Sequence, residues 1–591
     1  MSRFLALVMA LLLSITLVGC LGSGSSSSNG SNSPSATSIS LTPQNSAVTV
    51  GKTLQFSAQA TLSDGSNKDV SSTGTWTTSD SSIATVNSSG VVTAVKMGVV
   101  LVGVSNGQAK AATILNITSK KFSQSSLSGT YAFDLTSESN HPRFEAGSIK
   151  ADGAGNFSGI EDINSSSGVQ KAVPVSGTYT VMADGRGSLT LNTTGATART
   201  FHFVLSANSG SAADNDAQLI QFDKAGTAVG EIQKQNASAF NNTSLANHTY
   251  VFRVGGLDAT QNPISRIGEF ALDGTGTALS SGQQDENDNN TINSGAGATN
   301  SVAIASGTVG AVDSSTGRAT LTLTVGSQAA DFAAYVISAN KLEIVGVDAA
   351  PMLLGEAEMQ VNPLPSSAAA GGYALVTEIG GMDGQYWMMG EFTLDNLGNI
   401  TGLAQYQDGS TTPFGELLPN SITLTASGRG ALNEFSTQGP RTFTVYTVSG
   451  TRMYVQQNND AHAATGVADL QQPGQDGFGV ATLNNSFAFV AADTSDGNLA
   501  IIGQVVADGA GHLTGVLDVS QPQPGNPSQI TVSTVALGAN YQAPGKIGMT
   551  LGTVNTSGAG VQNFVLCLIS SSKAQFLGLS PIDLNGTLRV Q

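Results

Sequence analysis

The chain has 591 residues, of which only 11% are charged and 70 are glycine, and its formal net charge is −17. So few long helix formers among so many turn formers point to an all-β protein, while a hydrophobic content of 40% is enough for packed cores and excludes a wholly disordered chain. The acidic balance excludes a nucleic-acid partner, which needs a basic surface, and gives no polybasic route to an anionic membrane.

Arg3 followed by the apolar run 4–18 has the layout of a secretory signal, and the run is shorter than the roughly 20 residues of a spanning helix. It ends in Leu17-Val18-Gly19-Cys20. That ending resembles the bacterial lipoprotein lipobox. The resemblance implies a signal peptide over residues 1–19, cleavage before Cys20 and acylation of its thiol, so Cys20 is the one site residue nominated, as a lipid attachment point. Leu21, not Asp, follows, which by the same resemblance implies the outer membrane or cell surface where the cell has an outer membrane. Residues 20–36 are rich in Ser and Gly, cannot bury a core, and read as a flexible tether.

Residues 37–119 alternate short apolar–polar runs with turn residues about every ten positions, the pattern of a β-sandwich. The segments Val50-Gly51-Lys52-Thr53-Leu54, Trp76-Thr77-Thr78-Ser79, Ile83-Ala84-Thr85-Val86 and Gly90-Val91-Val92-Thr93-Ala94 resemble the bacterial Ig-like group 2 family. The resemblance implies a spacer or adhesive module of a surface protein.

The rest of the chain is one unit written four times, over residues 125–235, 243–360, 367–471 and 480–591. Each copy opens with an aromatic strand. Each then reaches a turn headed by Asp152, Asp273, Asp395 or Asp508, and the copies are spaced at the length of a small domain. A Gly-basic pair follows, read as Gly185-Arg186, Gly317-Arg318, Gly428-Arg429 and Gly545-Lys546. A late strand ends at Ser206, Ser338, Ser449 or Ser570, and each copy closes with Gly and, five positions on, Gln235, Gln360, Gln471 or Gln591. About eight short strands per copy, joined by tight turns, predict an antiparallel meander able to close as an up-and-down barrel, with an open sandwich as the alternative. The copies are expected to be independent, so that loss of residues 481–591 leaves the first three melting as before.

The motifs that look chemical read better as structure. The Gly153–Gly159 run has the wrong spacing and no following helix for a dinucleotide loop, and suits a hairpin turn. One Asp per turn is too few for calcium, which takes six to eight oxygens. Asp285-Glu286-Asn287-Asp288 is expected to be a solvated loop. Gly103-Val104-Ser105-Asn106-Gly107 falls in the Ig-like segment, where a nucleophile elbow has no place. Ser338-Ala339-Asn340-Lys341 and Ser570-Ser571-Ser572-Lys573 are repeat-equivalent hairpins with Arg452 in the same place, and Trp387 is expected in a core or at a barrel mouth. The histidines, at 141, 202, 248, 462 and 512, show no metal-ligand spacing. Cys567, in an apolar run and aligned with Phe203, Tyr335 and Tyr446, is expected to be buried and unpaired.

These readings predict no cofactor, no metal and no catalytic set. They describe a non-enzymatic, lipid-anchored cell-envelope protein whose β-domains serve adhesion or bind a surface or matrix ligand, a glycan or a surface protein. Small apolar ligands held inside the barrels are the alternative, and a cell-envelope enzyme the third.

Overall fold

The computed structural model describes residues 34–591 except for short internal segments, the longest being 138–141, 293–300, 380–387, 408–419, 459–462, 493–498 and 580–583. The signal sequence, Cys20, most of the tether, Trp387, His141 and His462 lie outside the described residues.

The chain is all-β, and among the described residues helix is limited to short 3-10 turns. Residues 36–118 form three small sheets around Phe56, Trp76, Val102, Leu115 and Ile117. Trp76 fills that core with its ring and donates its Nε1–H to the Ser71 carbonyl at 2.8 Å, so that its one polar atom is satisfied.

Each of the four copies then forms an antiparallel meander that curls into a barrel, and copies 1, 2 and 4 close by strand pairing. In barrel 1 the first strand, Ser128–Ser137, pairs on one side with Arg143–Asp152 and on the other with the last strand, Val229–Lys234. In barrel 4, Ser486–Ala492 pairs likewise with Ala500–Ala507 and Asn585–Val590. Barrel 2 closes through pairing of Pro263–Leu272 with Leu279–Asp288, and the two-residue strand Thr291–Ile292 is appended to it. In barrel 3 two short strands flank Ile422. Asn420–Ser421 pairs with Asn399–Gln407 and Thr423–Leu424 with Arg429–Ser436, so the two ends of this sheet meet through the chain at Ile422 and not through a strand pairing. Closure removes the exposed edges an open sandwich would leave.

The barrels are filled. Tyr131, Phe133, Phe157, Tyr179, Phe201 and Phe203 pack inside barrel 1, and the others hold comparable aromatic and aliphatic clusters. Among the described residues small apolar ligands therefore find no ready cavity there, which counts against the enclosed-ligand alternative. The repeated Asp heads its turn by accepting backbone N–H groups. Asp152 accepts those of Ala154 and Asn156 at 2.7 and 2.9 Å, and Asp395 those of Leu397 and Asn399, both at 2.8 Å. These bonds to the charged form, led by that from the Asn156 side chain, bring Asp152 down to about 2.

The copies are not independent. Apolar faces join barrel 1 to 2, 2 to 3, 3 to 4 and 4 back to 1. The last seam packs Val204 and Ile220 against Ala488, Ala500 and Ile502. The four barrels thus form a closed ring.

One device is repeated at every seam. The closing Gln of each copy pairs its backbone N–H with its own first strand and sends its side-chain amide into the next barrel. Gln235 Nε2 donates to Thr316 O and Val336 O, at 3.1 and 2.7 Å. Gln360 Nε2 donates to Ser427 O and Thr447 O, at 3.0 and 2.8 Å. Gln471 Nε2 reaches Leu568 O at 2.8 Å. Gln591, the last residue, reaches Asp184 O and Leu205 O of barrel 1, at 2.8 and 3.2 Å. Each amide lands beside a glycine with φ between 69° and 94°, namely Gly317, Gly428, Gly548 and Gly185. A Cβ on Gly185 or Gly548 would stand 2.8 Å from the incoming nitrogen.

This register corrects two alignments read from the sequence. In copy 4 the pair Gly545-Lys546 lies outside the described residues; the positive-φ glycine is Gly548, and Met549 occupies the place of Arg186, Arg318 and Arg429. In copy 1, Arg186 pairs with Val204, whereas Arg318 pairs with Tyr335, Arg429 with Tyr446 and Met549 with Cys567. Val204, not Phe203, is therefore the counterpart of Cys567. A one-residue slip moves a side chain to the opposite face of a strand, and Phe203 indeed lies inside its barrel.

The Ig-like domain sits on the seam between barrels 4 and 1. Asn116 Nδ2 donates to Asp184 of barrel 1 at 2.8 Å and to Gln504 of barrel 4 at 2.5 Å, and Arg186 Nη2 donates to Asn45 O at 3.2 Å.

Ring closure reverses the expectation of independent copies. Removing residues 481–591 exposes two apolar seams, so the remaining barrels are expected to melt at lower temperature than the same barrels in the full chain. Gln591→Ala alone is expected to cost about 1–2 kcal/mol by loss of the final clasp. Calorimetry of both variants checks this, and an unchanged transition for the first three barrels would restore independence.

Candidate functional site

The seams and the ring axis hold polar chemistry that a filled barrel cannot. On two seams an acid of one barrel meets an Arg and a Tyr of the next. Asp162 accepts from Arg318 Nε and Nη2 at 2.6 and 2.7 Å and from Tyr335 Oη at 2.5 Å. Asp285 accepts from Arg429 Nε and Nη2 at 2.8 and 2.5 Å and from Tyr446 Oη at 2.7 Å. Both carboxylates are fully buried. The acidic run at 285–288 is thus the end of the strand Leu279–Asp288 rather than a solvated loop. Its counter-charge comes from the next copy, too far along the chain for local sequence to show. The geometry is that of a bidentate Arg–carboxylate pair, which fixes orientation as well as charge.

The other two seams depart from this pattern. Between barrels 4 and 1, Asp518 pairs with His202 at 3.0 Å, and His202 stacks on Phe222 with ring centroids 3.7 Å apart. Between barrels 3 and 4 the register puts Tyr406 in the acid's place, Met549 in that of the Arg and Cys567 in that of the Tyr. Cys567 is buried and free, as expected, and donates its thiol to Glu391 Oε1 at 3.2 Å. Burial, reinforced by that carboxylate, pushes its pKa well up. Burial also raises Glu391 to about 7.

The residues read as plain hairpins, Lys341, Arg452 and Lys573, converge at the ring axis. Cross-strand register stacks them in layers. Lys341 lies opposite Glu358, Arg452 opposite Asp469 and Lys573 opposite Arg589. Below these, Glu343 lies opposite Glu356, Tyr454 opposite Val467 and Gln218 opposite Glu231. Ion pairs then run from copy to copy: Glu358 to Arg452 at 3.1 Å, Asp469 to Lys573 at 2.8 Å, and Glu231 to Arg589. Lys341 pairs with Glu356 within its own copy at 2.6 Å. Burial opposes the charge on Lys341, and Glu356 and Glu358 overcome it and raise its pKa. Asp134 rises to about 7 because it is buried beside Glu231.

Beside the upper layer lies a cavity of about 380 Å³, lined by Asn340, Glu358, Met359, Val361, Val448, Ser449, Thr451, Arg452, Asp469, Leu470, Gln472 and Ile569. It joins barrels 2, 3 and 4. Its hairpin residues are recognisable in the sequence as repeat equivalents, but their convergence depends on the packing of barrels 2, 3 and 4. Ser105 lies within the strand Gly98–Asn106, not at an elbow. His512 closes its own turn on Asp508 at 2.7 Å, and His248 lies 3.4 Å from the Tyr250 hydroxyl. Among the described residues no group of three or more His, Cys, Asp or Glu is placed to hold a metal ion.

Residues 35–115 match the family model of the bacterial Ig-like domain (group 2), so this segment is a member of that family. Ice-binding protein 1 of Shewanella frigidimarina (strain NCIMB 400) is 39% identical over 82 residues, which is 14% of this chain and 9% of that protein. Among solved structures, transferrin binding protein B of serogroup B Neisseria meningitidis is 8% identical, with a TM-score of 0.15 over 63% of this chain and 84% of that one. Domains 4–9 of the surface layer protein SbsC are 11% identical, with a TM-score of 0.14 over 93% and 83%. Neither score marks a shared fold.

Two outcomes follow from the seams. Arg429→Met strands a buried carboxylate and is expected to cost about 3–5 kcal/mol, most of it recovered in Asp285→Leu/Arg429→Met. Urea denaturation of the single and double variants checks the pair, and an equally unstable double variant would count against it. Glu391 ionises near 4.5 when unfolded and at about 7 when folded. Its protonated form is thus favoured by folding, full stability is present below 4.5, and up to roughly 3 kcal/mol is lost as pH rises through 7. Glu391→Gln is expected to lessen the fall in urea midpoint between pH 5 and pH 8.

Proposed function

We propose that this protein is a non-enzymatic, lipid-anchored surface protein that uses a rigid ring of four barrels, borne beside an Ig-like domain, to bind a ligand outside the cell. The observation that carries the reading is that the barrel interiors are filled while their sides are sealed against one another. Recognition is left to the ends and rim of the ring. The Leu17–Cys20 ending supports anchoring through an acylated Cys20, and the Ser/Gly tether supports display away from the bilayer. The Ig-like domain supports a place among envelope proteins, and the packed polar seams offer a fixed platform rather than a reaction centre.

Two measurements test this. Cys20→Ser is expected to leave an unprocessed or soluble precursor, whereas a mutant still processed, lipid-labelled and membrane-bound would refute the anchor. Full-length protein in detergent is expected to bind intact cells or extracellular matrix saturably. Absence of binding to either, with the ring folded, would refute the recognition role.

A further inference from the structure

We propose that the cavity beside the ring axis is a binding site for a neutral polyhydroxylated ligand, a saccharide of one or two rings, a deepening that rests on the surface-binding reading above. At about 380 Å³ it falls at the lower end of the range of small-molecule sites. It is built from three barrels, so it exists only where barrels 2, 3 and 4 are packed together.

Its chemistry selects the ligand class. Glu358 and Asp469 present acceptors, Arg452 presents donors, and Asn340, Gln472 and Thr451 present both. The three charged groups are already matched: Arg452 Nη1 lies 3.1 Å from Glu358, Arg452 Nε 3.4 Å from Asp469, and Asp469 is held by Lys573 at 2.8 Å. A small anion entering would face two carboxylates, and a cation would face Arg452 and an Asp469 already neutralised by Lys573. An apolar ligand would strip water from all these groups and replace none of their hydrogen bonds. A sugar hydroxyl both donates and accepts, so it satisfies interleaved donors and acceptors without adding charge. The aliphatic side chains in the wall, Ile569 among them, suit the C–H surface of a sugar ring.

A further observation points to unfilled bonding capacity here. Arg452 Nε, on a residue of the lining, is buried without a hydrogen bond. A charged guanidinium held by ion pairs yet short of a hydrogen bond has room for an incoming oxygen.

The test uses the full chain in detergent and a panel of mono- and oligosaccharides, read by arrays and by ligand-observed NMR. Thr451 is exposed at the hairpin, so Thr451→Trp fills the cavity without touching the ion pairs, and Asn340→Ala/Gln472→Ala removes two exposed amides from the lining. The expected result is saturable binding to a subset of saccharides, weakened more than tenfold by Thr451→Trp and about tenfold by the double variant, with melting temperatures unchanged. Should Thr451→Trp fail to fold, the double variant alone decides. Saccharide binding that both variants leave intact overturns the cavity assignment and leaves the surface-binding reading standing. Retained binding to cells or to a protein with no saccharide bound overturns the ligand class.

Discussion

The structure depends on one side-chain amide used four times. A glutamine at the end of each copy has its backbone in its own barrel and its Nε2 in the next, where it bonds backbone carbonyls beside a left-handed glycine. Bonds to backbone atoms do not depend on the neighbour's side chains, so the same clasp survives while the seams around it diverge. It also constrains the chain at both ends of each copy. The preceding glycine, Gly230, Gly355, Gly466 or Gly586, would carry a Cβ within 1.8–2.1 Å of a carbonyl oxygen on the barrel's own first strand, so that crossing admits only glycine. Because Gln591 reaches back to barrel 1, the fourth clasp turns a string of domains into a ring.

Closure then sets the energetics. Each barrel buries two outer faces as well as its interior, so the stability of one copy is partly held by its neighbours. This differs from an open repeat array, where end units need polar caps. The Ig-like domain takes part, since Asn116 bonds both Asp184 and Gln504 across the seam where the first and last copies meet. That seam has no chain connection of its own, and the added bridge lies where covalent continuity is missing.

Much of this was legible in the sequence, and the rest was not for definite reasons. The four copies, the Asp turns and the closing glycine and glutamine all showed, because each reflects backbone geometry that few residues satisfy. Barrel rather than sandwich did not show, since closure is a pairing between the first and last strands of a copy. Ring closure did not show either, because Gln591 and Leu205 are distant in the chain and a glutamine carries no sign of what it bonds. The acid at 285 looked like solvated loop because its partner, Arg429, belongs to the next copy. The offset between Phe203 and Val204 arose because a run of alternating aromatics reads equally well one residue out of register, and only the pairing of Arg186 with Val204 settles it.

The two kinds of buried charge in the ring have had different fates. At the seam between barrels 3 and 4 the acid, the arginine and the tyrosine have given way to Tyr406, Met549 and Cys567, and the seam still packs tightly. This seam therefore does without the Asp–Arg pair, though it keeps a buried carboxylate, Glu391, held by Cys567 and by Gln471 Nε2 at 2.8 Å, as expected where desolvation offsets most of what a buried ion pair returns. Yet the same two copies keep Arg452, Asp469 and Lys573 at the axis, linked at 3.4 and 2.8 Å. Burial works against the charge on each of them. If packing alone governed the axis, those positions would be free to follow the seam. Charge is kept along the whole axis, in Glu231–Arg589 and Lys341–Glu356 as well as beside the cavity, because each group there is matched by a partner from the same or the next copy and removing one would strand the other.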